Sequence, residues 1–375
     1  MPEREPNVGR VLRAPDTIDF EWVRERMTVC DERDCGKQNF YHAVPVRAID
    51  VEDMCIVDPK DGVRYVTLSY TWGDVEQLRL NRENEQEFRR AGWLWSMLVS
   101  ITQTIRDAIT LTRKIGERFL WVDALCIIQD DALDLERSLG EMGNIYRNSV
   151  LTICACCGED AAYGLPGVRP DTRKTDQRAA VVGNMVLGNV LPCSEAIEKS
   201  KWSTRGWTLQ EKVLSQRKLQ ITDHCVQWWC WHTITSEDGN CRHPGWQPGT
   251  RHRGMHFYRS EHDLVVSKIG RNCNMDTFAF VISDYTSRNL THQSDAANAI
   301  LGVLNQLAGT FGGDFIAGLP DTEMAASLLW VPIGPHRQAP IPELELARLG
   351  RACCLSLAYR AVVSHVRVWI APAVA

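Results

Sequence analysis

The sequence lacks any uncharged apolar run approaching the ~20 residues that a bilayer crossing requires, so no membrane span is expected. It also lacks an excess of one charge: its 375 residues carry a formal net charge of -5. Binding nucleic acid by neutralising phosphates needs a broad basic field, and without one no nucleic-acid partner is expected. No internal repeat and no low-complexity tract is evident. The opening MPEREPNVGR is charged and proline-bearing where a secretory signal needs a basic start followed by an apolar stretch. Export is therefore not expected, and the expected location is the cytoplasm. Two chemical signatures are missing as well. No G-x-S-x-G elbow marks a serine hydrolase, and the stretch containing His224, Cys225, Cys230, His232, Cys241 and His243 lacks the CxxC pair that makes a zinc site convincing.

Cysteine itself is plentiful, with 14 in the chain. Spread through a long sequence without an export signal, they read mostly as buried thiols rather than a disulfide scaffold. Cys126 and Cys154 lie inside apolar runs, where a small reduced hydrophobe belongs. A hydrophobic content of 44% over this length is enough for one large core or two modest ones.

Local patterns alternate between buried strands and amphipathic helices. Residues 65–70, YVTLSY, are β-branched and aromatic and run into a glycine turn, which predicts the first core strand. Residues 100–116 carry Ile101, Ile105, Ala108, Ile109 and Ile115 near the helical period, with Ser100 and Gln103 as a capping box and Gly116 as the stop. A continuous apolar run at 119–122 suits a strand buried on both faces. Residues 134–148 and 150–155 repeat the helix-then-strand rhythm of a parallel α/β sheet. A small hairpin is expected near 181–190, a helix over 206–215 started by Ser203 and Thr204, and paired strands at 218–222 and 225–231. Residues 77–90 are strongly charged and read as a solvated helix or loop, and helical patterns return at 295–307 and 322–330. The expected organisation is a loosely packed charged leader over 1–39, an α/β domain over 40–235 and a mainly α region over 236–375.

Three blocks give the chain a family likeness: Leu68-Ser69-Tyr70-Thr71-Trp72-Gly73, then residues 119–130 (FLWVDALCIIQD), then Arg205-Gly206-Trp207-Thr208-Leu209-Gln210-Glu211. In this order they resemble the heterokaryon-incompatibility (HET) domain of filamentous fungi, over roughly residues 40–220. Past Trp330 the likeness fades, and the tail to Ala375 is atypical of the family. HET domains in turn resemble TIR domains, which open with a strand ending in Ser-Tyr or Ser-Phe, place an acidic residue at the end of the next strand, and set a tryptophan four residues ahead of a glutamate. Leu68-Ser69-Tyr70, Asp123, and Trp207 with Glu211 keep that pattern. The resemblance implies a TIR-like, flavodoxin-like α/β fold with a mostly parallel sheet and flanking helices. It implies a role in fungal non-self recognition, an innate-immunity-like programmed cell death, acting as a homo-oligomer on activation, with an upstream sensor protein as partner.

Some TIR domains hydrolyse NAD, so the resemblance implies NAD as a substrate, with no bound cofactor, and Glu211 as the catalytic carboxylate. Glycosidic cleavage makes the sugar carbon oxocarbenium-like, and a nearby carboxylate stabilises that charge. Trp207 and Glu211, at i and i+4, share a helix face. Ser69, Tyr70, Trp72 and Gly73 lie at the carboxyl end of the first strand, where open α/β sheets place ligands, with Asp123 at the end of the second and Arg205 as a phosphate partner. The competing reading makes the tryptophans core residues, pairs Glu211 with Arg205, Lys212 or Arg217 on a solvated helix face, and leaves a non-catalytic assembly module. Asp123, Asp130 and Asp131 read as strand-end or capping residues rather than metal ligands; no metal is expected.

Overall fold

The computed structural model describes residues 16–33, 45–174, 179–182, 185–188, 193–230, 233–237, 275–311, 313, 315–316 and 319–324. The first elements are helix α1 (Phe20–Glu32) and two short strands, β1 (Ala48–Asp50) and β2 (Cys55–Val57). The expected first core strand is β3 (Val66–Ser69), followed by short helices α2 (Glu85–Phe88) and α3 (Trp93–Ser96) and then α4 (Gln103–Lys114). Next come β4 (Phe119–Trp121), the single turn α5 (Asp123–Cys126), α6 (Ala132–Asn148) and β5 (Leu151–Ala155). The hairpin β6 (Ala179–Val182) and β7 (Met185–Gly188) leads to α7 (Cys193–Lys199) and α8 (Gly206–Leu214). Strands β8 (Arg217–Ile221), β9 (Val226–Cys230) and β10 (Ile234–Ser236) follow, then helices α9 (Met275–Thr286) and α10 (Asn298–Phe311).

Eight strands form one sheet in the order β10-β9-β8-β5-β3-β4-β1-β2. Its centre is parallel: β3 pairs with β4 and β5, and β5 with β8. Both margins are antiparallel, β1 with β2 and β4 on one side and β9 with β8 and β10 on the other. The sheet is therefore mixed, which corrects the expectation of a mostly parallel one. The extra strands are three residues long at three of the four marginal positions, too short to carry an alternation signal.

Local details shift too. Helix α4 starts at Gln103 with Thr102 at its N-cap and no side-chain cap bond. Gln103 is not half of a capping box; its amide donates to Asp107 at 2.7 Å. Ser203 and Thr204 likewise do not cap α8, because their hydroxyls donate back to the carbonyls of Ile197 and Lys201. The charged 77–90 segment contributes buried Gln77, Leu80 and Phe88. Part of the expected loose leader is ordered: Asp19 caps α1 by accepting from the Trp22 N–H at 3.0 Å, and Val23, Met27 and Cys30 are buried in the main core. Their i, i+4, i+7 spacing is present in the sequence, masked by the charges between them.

Helices α6, α8 and α10 pack against one another. Where α6 meets α10 the backbones nearly touch: a Cβ on Gly143 would fall 2.9 Å from the Gly302 Cα, and one on Gly302 2.8 Å from the Gly143 Cα. The second core cluster sits here, joining Leu209, Val213 and Leu214 of α8 to Phe278, Val281 and Ile282 of α9 and Ile300 and Val303 of α10. The described part of 236–375 is thus mainly helical and continuous in packing with the sheet; the pattern expected at 322–330 lies outside the described residues beyond Met324. Among the described residues no helix is long and apolar enough to cross a membrane.

Two glycines one turn apart on α6 test this packing. A Cβ at Gly140 meets nothing within 4 Å, so Gly140→Ala is expected to stabilise by roughly 0.5–1 kcal/mol through helix propensity. Gly143→Ala must separate α6 from α10 and is expected to cost roughly 1–3 kcal/mol. Denaturant unfolding of both variants measures the contrast; equal effects would mean that the helices are not in contact.

Candidate functional site

Parallel strands β3 and β4 end side by side, and the residues just beyond their carboxyl ends converge with the start of α8. Along β3 the pleat sends Thr67 and Ser69 to one face. Thr67 meets the Thr152 hydroxyl at 2.8 Å, Thr152 meets the Ser215 hydroxyl at 2.6 Å, and all are buried. This hydroxyl row under α8 ends at Ser69, whose Oγ donates to the Glu211 carboxylate and accepts from the Trp202 indole N–H at 2.6 Å. Glu211 is only 6% exposed, which overturns the reading of a carboxylate on a solvated helix face.

Burial dominates its ionisation. Loss of water pushes the Glu211 carboxyl up from an ordinary 4.5 to about 7; the Ser69 bond and the Arg205 charge pull it down, and the Asp123 charge pushes it up. Asp123 is raised by the same desolvation, offset by the Ala124 N–H at 2.7 Å, by Arg205 and by the Trp72 indole N–H at 2.9 Å. Tyr146, with its hydroxyl donating to the Leu68 carbonyl at 3.0 Å, stands in the field of both carboxyls. Two carboxyl groups, one guanidinium and two phenols thus share a region from which water is largely excluded, where charge interactions are strong.

The sequence-derived candidates fare differently. Ser69, Tyr70, Trp72, Asp123, Arg205 and Glu211 come together. Tyr70 offers its carbonyl to Arg205 Nη1 at 2.6 Å and its hydroxyl to Gln77 at 3.1 Å. Gly73 has a positive φ of 67°, and a Cβ there would lie 2.2 Å from the Asp160 Cβ, so turn geometry and close packing account for it without a ligand. Trp207 shares the helix with Glu211, yet its indole donates to Asp295 at 3.3 Å and its ring packs between the two core clusters. Trp202, Tyr146 and Gln77 were missed. Trp202 lies just before the third family-like block and Tyr146 within the helical pattern of 134–148, but nothing in their spacing announces contact with Ser69 or Glu211.

The remaining polar candidates separate as well. Asp131 caps α6 by accepting from the Leu133 and Asp134 N–H groups, and Asp130 accepts from the Arg82 N–H at 2.9 Å. Cys225 is disulfide-bonded to Cys193 and Cys230 is buried in β9; His232, Cys241 and His243 lie outside the described residues. Burial pushes the Cys126 and Cys154 thiols up to about 12, which makes both inert as nucleophiles at neutral pH.

Residues 65–211 match the family described as Heterokaryon incompatibility protein (HET). Vegetative incompatibility protein HET-E-1 of Podospora anserina is 28% identical over 166 residues, 42% of this chain and 10% of that protein. The chain therefore spans about a tenth of the length of the curated relative it matches. No solved structure matches it with significance.

The raised carboxyl sets a pH dependence. With an unfolded value near 4.5 and a folded value near 7, the native state binds the extra proton between these limits, so the Glu211 contribution is fully present below 4.5 and is lost as pH rises through 7. The loss is on the order of 3 kcal/mol. Glu211→Gln is expected to flatten the stability profile across that window and to exceed the wild type in stability above it, as read by unfolding at a series of pH values.

Proposed function

The chain carries a heterokaryon-incompatibility (HET) domain, and from that premise we propose that it acts in heterokaryon incompatibility and that its cell-death output is hydrolysis of NAD at the Glu211 site. One observation carries the catalytic part: a carboxyl with an ionisation point near 7, buried and oriented by Ser69, beside a second carboxyl and a cation at the ends of parallel strands. The spatial order of the four parallel strands, second, first, third, fourth, supports the flavodoxin-like and TIR-like reading.

In the ionised form Glu211 accepts hydrogen bonds from the ribose hydroxyls beside the nicotinamide bond and stabilises positive charge at the anomeric carbon as that bond breaks. Nicotinamide leaves with the bonding electron pair, water adds to the sugar carbon and loses a proton, and ADP-ribose results. Ser69, held by Trp202, fixes the carboxylate rotamer, and Arg205 supplies the cation for the diphosphate. Trp72, with its indole tied to Asp123, forms a wall of the same region.

A second reading has an observation of its own. Trp95, Val99 and Leu133 are large apolar side chains exposed at 50%, 94% and 78%, each the kind of side chain that a contact between copies would cover without chemistry.

NAD loss and cell death after induction of wild type and Glu211→Gln separate the two. A drop in NAD turnover of at least about a hundredfold in the folded variant is expected, together with loss of toxicity. Turnover in the wild type is expected to rise with pH through about 7, as Glu211 ionises. Toxicity undiminished in Glu211→Gln would sink the catalytic reading and leave the assembly module.

A further inference from the structure

Residues 275–311 lie beyond the span matched by the family, 65–211, yet they grip the start of the helix that carries Glu211. Arg288 is 7% exposed and held side-on by Asp284, with Nε to Oδ1 and Nη2 to Oδ2 both at 3.0 Å. Its other terminal nitrogen donates to the Arg205 carbonyl at 3.1 Å and to the Thr208 hydroxyl at 3.2 Å. The next residue continues the grip through its backbone: the Asn289 N–H donates to the Thr204 carbonyl at 2.7 Å, and the Gly206 N–H donates to the Asn289 carbonyl at 2.8 Å. A Cβ at Gly206 would lie 2.4 Å from Leu290 Cδ2, so the two segments are in close contact.

Arg205 occupies the N-cap of α8 in an extended conformation, φ -86° and ψ 141°. Its backbone is thus clamped from the 284–289 side, while its guanidinium donates to the Tyr70 carbonyl at 2.6 Å on the other. Only a planar guanidinium serves a carboxylate side-on and still presents a donor to a carbonyl in the same plane. A buried arginine of this kind is costly unless paired; Asp284 supplies the pairing.

We propose that Arg288 is a positioning residue of the candidate site: locked by Asp284, it fixes the backbone at Arg205 so that the Arg205 guanidinium, held on the Tyr70 carbonyl, stays within charge range of the Glu211 and Asp123 carboxyls. This rests on Glu211 being the reacting group and extends the site into a segment that the family match does not cover. Among the described residues Lys212 and Lys218 act on Cys154, and the charged and titratable groups coupled to Glu211 itself are Asp123, Arg205, Tyr70, Tyr146 and Cys154. Of these Arg205 is the cation, so its displacement leaves the carboxyls less compensated.

The test uses the full chain. The difference in unfolding free energy between each protein and its Glu211→Gln counterpart is followed from about pH 5 to about 9, in wild-type, Arg288→Ala and Arg288→Lys backgrounds. The pH at which the slope of that difference has fallen to half, taken as its midpoint, reports ionisation of folded Glu211 and requires no turnover. Arg288→Ala is expected to move the midpoint up by about half a pH unit or more, and Arg288→Lys, which keeps the charge but not the planar fork, to leave it displaced as well. A midpoint unmoved in folded Arg288→Ala, whatever its melting temperature, overturns the proposal. Should Arg288→Ala fail to fold, Asp284→Asn, which loosens Arg288 without removing it, is expected to shift the midpoint in the same direction; no shift there also overturns it. NAD turnover measured alongside keeps the two ideas apart. A moved midpoint in a protein without turnover supports the positioning and refutes the catalysis, and turnover with an unmoved midpoint does the reverse.

Discussion

The desolvated Glu211 carboxyl governs the arrangement of the elements around it. Ionised, it would be costly in an apolar interior without donors and a nearby cation, and each neighbour supplies one of these. Ser69 supplies a hydroxyl from the last position of β3, Trp202 fixes that hydroxyl from the turn before α8, and Arg205 supplies the charge from the α8 N-cap. None of these donors is local to Glu211 in a way that a helix alone would provide. The carboxyl is therefore tolerated only when sheet, turn and helix are already assembled, and even then it remains hard to ionise. Such a group weakens the fold at neutral pH, which supports the proposal that it serves chemistry rather than stability.

The face of the sheet beneath α8 is unusual for a core. Thr67, Ser149, Thr152 and Ser215 satisfy one another there, while Lys218 reaches the Lys212 and Ser215 carbonyls at the helix end. A polar layer of this kind is stable only if every member is satisfied, and satisfied layers fix a single geometry. It holds α8 at a set height over β3 and β5, and that height decides whether Glu211 meets Ser69. The opposite side of α8 is apolar and joins α9 and α10, which supplies the hydrophobic burial that the polar side cannot.

The two core clusters share Trp207, which packs against both. Its spacing to Glu211 is that of two residues on one helix face, yet its indole is directed to Asp295 in the turn before α10. A tryptophan and a glutamate one helical turn apart can thus serve different partners: one ties the helix to the C-terminal segment, the other turns toward the sheet. The close Gly143 and Gly302 contact and the Gln210 side chain accepting from the Gly302 N–H at 2.7 Å strengthen the same junction. The described residues 275–311 are therefore part of the mechanical frame of the sheet domain.

The sequence by itself determined the central strands, the helices α4, α6 and α8, the β8–β9 pair and the company of Ser69, Tyr70, Asp123, Arg205 and Glu211. The strands and helices rest on local periodicity and strand-like apolar runs, which are properties of neighbouring residues, whereas the company of the five site residues was implied by the resemblance to HET and TIR domains. Three-residue marginal strands, the packing of α1 and the contributions of Trp202, Tyr146, Gln77 and Arg288 were decided by tertiary structure alone. Pairing at a sheet edge depends on what lies alongside, and a hydrogen bond between residues 69 and 202 or 205 and 288 leaves no trace in spacing. Whether Glu211 is a surface charge or a buried acid was open in the sequence for the same reason: a helix fixes which residues share a face, and only the fold decides what that face meets.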